Sequence, residues 1–420
     1  MKIAVIGAGW AGCAAAVEAT RLGYQVTVFE AARIPGGRAR RVIATVAGQA
    51  VALDNGQHIL IGAYAETLRL MTDVGVDAGA ALLRLPLTLQ FPDGSGLRLP
   101  RWPAPLDAFA GILAARGWSW RDRFSLLKVA LGWQLGGFEC RPGQSVSDLC
   151  RNLTPDAMAS LIEPLCVSAL NTPAGRASGQ VFLRVMRDAL FTRSGGSNLL
   201  LPRIDLSALL PDAALAWLAA NASTPRLGVR VQLIAPLAAG WKVDGELFDA
   251  VVLACPPMEA ARLVQGSGCA AGGWIAQARG LRHEALTTVY VHAPDARLRH
   301  PMLALRSNAA EPAQFAFDRA QLGGPAGLLA FVVSASSGDS AALTRQVLAQ
   351  AARQLGLTRL QPVQTIVEKR ATFACTPGLQ RPAAAIAPGL LAAGDYVAGP
   401  YPATLEGAVR SGLAAARNLN

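Results

Sequence analysis

Gly7, Gly9 and Gly12 stand in a G-x-G-x-x-G array with Ala11 inside it, and an acidic residue, Glu30, follows about 20 residues on. The spacing carries a specific chemistry. Gly7 permits a tight turn, Gly9 lets the backbone approach a pyrophosphate, and Gly12 lets a helix lie close to a strand. The helix start then offers free N–H groups to the phosphates, and the carboxylate takes a ribose hydroxyl. This array specifies a dinucleotide and leaves NAD and FAD both open. Two more arrays lie downstream. Gly36-Gly37-Arg38 precedes Asp54-Asn55-Gly56-Gln57-His58, and near the far end Gly394-Asp395 precedes Thr404-Leu405-Glu406-Gly407.

The elements that must position these groups are readable from pattern. Lys2 to Ile6 is a short apolar strand, Ala14 to Leu22 an alanine-rich helix ended by Gly23, and Gln25 to Phe29 a second strand delivering Glu30. Val42 to Val46 is strand-like. Asp205 to Asn221 predicts a helix leading into a strand-like Leu227 to Leu233 that contains Val231. Trp241 to Val243 and Phe248 to Ala254, separated by Asp244-Gly245, read as a hairpin running on into a buried strand. Leu390 to Ala393 closes as a strand on Gly394-Asp395, and Thr404 opens a helix to Arg417. Between lie two long insertions. The first is mostly helical, and the second combines strands at Leu286 to Val291, Ala313 to Phe317 and Leu328 to Val333 with a helix from Ala341 to Gly356.

These motifs resemble the flavin monoamine oxidase and phytoene desaturase superfamily, and the Gly-Gly-Arg loop selects FAD. The resemblance implies an α/β fold: a discontinuous Rossmann-like FAD-binding domain (1–85, 203–271, 369–420) with an inserted α+β substrate domain (86–202, 272–368). By the same resemblance Gly37 and Arg38 sit on the FAD pyrophosphate and ribityl chain, and Val231 meets adenine through its backbone. Gly56 and Gln57 lie beside the isoalloxazine. Gly394 and Asp395 approach the pyrophosphate or ribityl hydroxyls, and the N–H of Leu405 faces the flavin N1/O2 edge, where reduced flavin is negative.

Composition narrows the partners. The chain has 420 residues, 52% of them hydrophobic and 16% charged, so it buries a large core and is not disordered. Net charge is +11, and only four of the 39 cations are lysines, which reflects either codon composition or an anionic partner. No basic block with interleaved aromatics is present, which argues against nucleic acid. The seven scattered cysteines form no C-x-x-C pair and suggest neither disulfides nor zinc, so a cytoplasmic protein is expected. Trp102, Trp118, Trp120 and Trp133 stand with Arg116, Arg121, Arg123 and Lys128, and Phe124, Leu127, Leu131 and Leu135 recur at helical spacing. Two readings fit: a helix at the cytoplasmic face of the inner membrane, or one covering the core.

Across nearly its whole length the sequence is most similar to the hydroxysqualene dehydroxylases. The resemblance rests on Asp54 to Tyr64, on Pro164-Leu165-Cys166 through Asn171-Thr172-Pro173, and on Gly394-Asp395-Tyr396 through Pro402. It implies a polyprenyl lipid substrate, an external electron donor for the flavin, and reductive loss of an allylic hydroxyl. His58, one of four histidines, is the first candidate for protonating that hydroxyl, and Tyr401 the second. A desaturase or amine oxidase running hydride the other way, and a prenyl-lipid escort without redox chemistry, are the alternatives.

Overall fold

The computed structural model describes residues 1–419. Its central sheet has six strands in the spatial order Thr224–Leu227, Gln25–Glu30, Lys2–Ile6, Ala250–Leu253, Leu390–Ala392 and Ala385–Ala387. The first five run parallel and the last antiparallel. Apolar residues on both sides of each central strand follow from burial on two faces. Ile3, Val5, Val26 and Val28 pack with the helices Trp10–Arg21 and Leu405–Arg417, while Ala4, Ile6, Phe29 and Leu253 join a second core with the antiparallel strands Ile234–Pro236, Trp241–Val243 and Glu246–Phe248.

A second sheet is antiparallel, in the order Met302–Ala304, Phe315–Asp318, Leu328–Ser336, His283–His292 and Gln361–Phe373. The pleat divides its side chains. Val289, Val291, Leu329, Phe331 and Val333 pack under the helix Ser340–Leu355 through Leu343, Val347 and Ala351, and Phe315, Phe317 and Val332 point to the other side, toward the cofactor half.

Several expected boundaries move. The helix over Asp205 to Asn221 is two helices, Leu206–Leu209 and Pro211–Ala220, because Pro211 has no N–H to continue the first. Only Thr224–Leu227 is strand, and Gly228 to Leu233 is an irregular loop pinned by Val229 N–H on Glu30 O at 2.8 Å. Phe248 ends one strand and Ala250 starts another in a different sheet. The expected 368/369 boundary falls inside Gln361–Phe373, so the second sheet passes into the cofactor half within one strand.

The helix over Trp120–Leu135 shows the largest difference from an ordinary core-covering helix. Ser119 and Asp122 form a reciprocal capping box at its start. Its buried residues are Asp122 and Leu126, and Trp133 packs edge-on against Phe182. Phe124, Leu131 and Leu135 lie on the opposite side, 61%, 50% and 80% exposed, with Trp120 at 61%. Trp118 is buried. No helix among the described residues is long and apolar enough to cross a membrane.

Candidate functional site

A cleft of about 700 Å³ runs between the carboxyl ends of the parallel strands and the second sheet. It is lined by every residue expected to touch the cofactor except Gly12, which lies beneath it. Strand Lys2–Ile6 ends in the glycine turn and the helix Trp10–Arg21 starts at its edge. A Cβ on Gly12 would stand 1.8 Å from the Gly7 carbonyl oxygen, so this glycine is demanded by the protein's own packing. A Cβ on Gly9 would meet nothing of the protein nearer than 3.9 Å. Glycine there keeps the backbone bare toward the cleft, as close approach of a ligand needs.

Glu30 ends its strand with Oε2 accepting the Ala8 N–H at 2.7 Å and Oε1 accepting the Ala32 N–H at 2.8 Å. Each oxygen keeps a lone pair for a ribose hydroxyl. Val231 lines the same end of the cleft. Its carbonyl accepts from Arg262 Nη2 at 3.1 Å, which fixes the loop and leaves its N–H to the cleft.

At the other end, Arg38 and Asp395 are brought together from opposite ends of the chain as a hydrogen-bonded ion pair. Arg38 also donates through Nη1 to Ala371 O at 2.8 Å. The guanidinium is thus held in place on the cleft wall, with its remaining donors available to an anion. Gly394 N–H donates to Ser411 Oγ at 3.1 Å, tying the end of the strand Leu390–Ala392 to the helix Leu405–Arg417. Thr404 caps that helix by accepting the Gly407 N–H at 2.9 Å, so the N–H of Leu405, in the first turn, remains for the cleft. Glu406 is fully buried and accepts from Thr67 N at 2.9 Å, which sets the helix against Ala65–Asp73.

The stretch Gly56-Gln57-His58 lines the cleft below the second sheet. His58 Nδ1 lies 2.5 Å from Gly56 O, and a carbonyl only accepts, so the ring proton is on Nδ1. Burial holds the imidazole below its ordinary pKa, so at neutral pH Nε2 is a lone-pair acceptor. At rest His58 is thus an acceptor, and it gives a proton only after taking one up. The expectation for Tyr401 is corrected: it is absent from the cleft lining, and its hydroxyl donates to Asp188 Oδ2 at 2.8 Å under the Arg410 guanidinium.

Gln57 is held from behind. Buried Arg319 donates through Nη1 to Gln57 Oε1 at 3.1 Å. Nearby Asp54 accepts the Leu206 N–H at 2.7 Å, and burial pushes its carboxyl up to about 7 despite the pull of Arg319. Three residues of the site were missed by sequence reasoning. Arg319 opens the short turn Arg319–Leu322 after the strand Phe315–Asp318, and Glu368 lies within the strand Gln361–Phe373, where no motif marks either. Tyr396 follows Gly394-Asp395 directly and could have been found by that adjacency. It lines the cleft, and its buried hydroxyl has no hydrogen-bond partner among the described residues.

This glycine turn, ribose carboxylate, arginine–aspartate clamp and helix N-terminus fit a flavin dinucleotide. Residues 10–420 match the model of the flavin containing amine oxidoreductases. The chain belongs to that family. It is an FAD-dependent oxidoreductase. It is 28% identical to a hydroxysqualene dehydroxylase from Rhodopseudomonas palustris, over 98% of this chain and 96% of that protein. A second hydroxysqualene dehydroxylase, from Sinorhizobium fredii, is 26% identical over 99% of this chain and 97% of its own. Among solved structures, an oxidoreductase from Methanosarcina mazei superposes with a TM-score of 0.75 at 18% identity, covering 100% of both chains. Cyclohexylamine oxidase from Brevibacterium oxydans gives 0.72 at 14% identity, over 100% of this chain and 98% of that one. These structural likenesses bear out the expected fold class.

Proposed function

We propose that this oxidoreductase reductively dehydroxylates hydroxysqualene to squalene. The observation that carries the reading is the full-length likeness to two proteins of that activity. The cleft supports it: beyond the cofactor-binding residues its wall becomes apolar, with Val167, Ala169, Leu286, Phe315, Phe317 and Val332. Such a wall suits a polyprenyl chain and excludes water from a cationic carbon. The likeness to zeta-carotene desaturase from Zea mays covers only 18% of this chain.

Reduced FAD, when bound, supplies the hydride. The alcohol carbon loses its C–O bond and gains that hydride, and one proton converts the departing hydroxyl into water. His58 Nε2 accepts a hydrogen bond and so orients the hydroxyl. The proton is drawn from solvent and relayed, and we assign the relay to Glu368, the second sheet's one cleft-lining carboxyl group. Asn55 Nδ2 steadies it at 3.4 Å.

The test is anaerobic. Photoreduced holoenzyme mixed with hydroxysqualene is expected to reoxidise its flavin and yield squalene in equal amount. Glu368→Gln is expected to slow that single turnover about 100-fold or more, and His58→Gln less than about fivefold. No reoxidation by hydroxysqualene, together with flavin reduction by a polyene or an amine, overturns the reading.

A further inference from the structure

Away from the cofactor cleft, a second concavity of about 380 Å³ opens on the inserted half. It lies between the strand pair Thr88–Gln90 and Gly96–Arg98, the end of the helix Leu106–Ala114 and the segment before Met302–Ala304. Its wall carries the guanidinium groups of Arg98, Arg116 and Arg299, with His300, and no carboxylate. None of these three side chains has a hydrogen-bond or ion-pair partner among the described residues. Their neighbour Arg306, by contrast, is paired with Asp93 at 3.0 Å. Burial, and then Arg299 and Arg98, hold His300 below its ordinary pKa, which reports cations crowded without a counter-charge.

The concavity is joined along the chain to an uncovered apolar surface. Ala114 and Arg116 line it, and they connect the helix Leu106–Ala114, with Leu106 and Leu113 exposed, to the outward stripe of Trp120, Phe124, Leu131 and Leu135. At 100° per residue those four positions fall within one arc of about 60°. Trp120 and Phe124 stack with ring centroids 5.9 Å apart, and Arg121 and Lys128 flank them. Residues 98–135, together with Arg299, thus join a cluster of unpaired cations to a run of large apolar side chains. Phosphate joined to hydrocarbon in one molecule is the chemistry of a phospholipid.

We propose that this face seats on an anionic phospholipid bilayer, with Arg98, Arg116 and Arg299 around a headgroup phosphate and the Trp120–Leu135 stripe among the upper acyl carbons. Peripheral attachment of this kind needs both parts, because each cation near an anionic surface strengthens binding about fivefold and the apolar stripe supplies the rest. The inference is independent of the reaction proposed above.

Flotation of the FAD-loaded protein with vesicles tests it. Binding is expected to be at least about tenfold stronger to phosphatidylcholine vesicles containing phosphatidylglycerol than to phosphatidylcholine alone. Exchanging Arg98, Arg116 and Arg299 together for Gln is expected to weaken binding to the anionic vesicles about 100-fold. Trp120→Ser with Phe124→Ser is expected to weaken binding to both kinds. Retained flavin absorbance and an unchanged melting temperature establish that these exposed-site variants are folded. Equal binding to both vesicle types, or a triple variant that floats like the parent, overturns the proposal. So does millimolar inorganic phosphate occupying the concavity while vesicles fail to bind, which assigns the site to a soluble anion.

Discussion

Two helices of this protein begin with tryptophan and are treated in opposite ways. Trp10–Arg21 is rich in alanine and is buried at every position from Trp10 to Ala19, with the Trp10 indole donating to Ala39 O at 3.2 Å. Trp120–Leu135 carries much larger apolar side chains and buries only Asp122 and Leu126. Side-chain hydrophobicity therefore does not decide which helix is covered. Small residues let the first approach a strand on one side and the helix Leu405–Arg417 on another, and the second has its bulk on a face left exposed among the described residues.

The sharpest way to break this contrast is Gly12→Val. With a Cβ 1.8 Å from the Gly7 oxygen, the variant is expected to lose at least about 4 kcal/mol of stability and its flavin, read by thermal unfolding and absorbance. An unchanged melting temperature would show that the first helix is not tightly seated. Leu126→Ala, on the buried side of the second helix, is expected to cost about 3 kcal/mol in denaturant unfolding. Arg38→Ala should weaken FAD binding by about 2 kcal/mol in a titration of apoprotein, because it removes a charged donor and leaves Asp395 unpaired.

Asp54 sharpens the comparison where the halves meet, since its carbonyl accepts the Tyr290 hydroxyl at 2.9 Å while its carboxylate accepts Leu206 N–H. Its folded pKa of about 7 lies above the unfolded value of 3.8, so the folded state holds more protons between those values. The group's contribution to stability therefore falls as pH rises through that window, by up to about 1.4 kcal/mol per pH unit. Asp54→Asn should remove this slope from a plot of unfolding free energy against pH, and identical slopes in parent and variant would refute the assignment. Smallest of all, Phe124→Ser is expected to change stability by less than about 0.5 kcal/mol, since its ring packs against no core.

Legibility in the sequence follows the same division. The glycine turn, Glu30, Arg38, Asp395 and Leu405 are readable because each meets a demand that local geometry repeats: a turn, a strand end, a helix start. Glu30 could be placed on its strand from spacing alone. Arg38 meeting Asp395 could not, because the contact spans almost the whole chain and depends on the strand order of the sheet. His58 shows a different gap: its place in the cleft was readable, but its proton is fixed by the carbonyl of Gly56 and by burial, neither of which a residue type announces. The stripe on Trp120–Leu135 was readable as a period, whereas its outward direction was not. Periodicity defines a face, and only packing says what the face meets.

The order of strands in the central sheet has a consequence for synthesis. Strand Ala250–Leu253 pairs on one side with Lys2–Ile6 and on the other with Leu390–Ala392. A ribosome adding about 5–20 residues per second therefore leaves that second edge unpaired for roughly ten seconds. During that interval the growing chain presents an apolar β-edge open to pairing with another chain, and the Arg38–Asp395 clamp does not yet exist. Flavin is thus secured late, once the last parallel strand has emerged, and the nascent protein is most exposed to aggregation and to chaperones while residues 272–368, the second insertion, are being made.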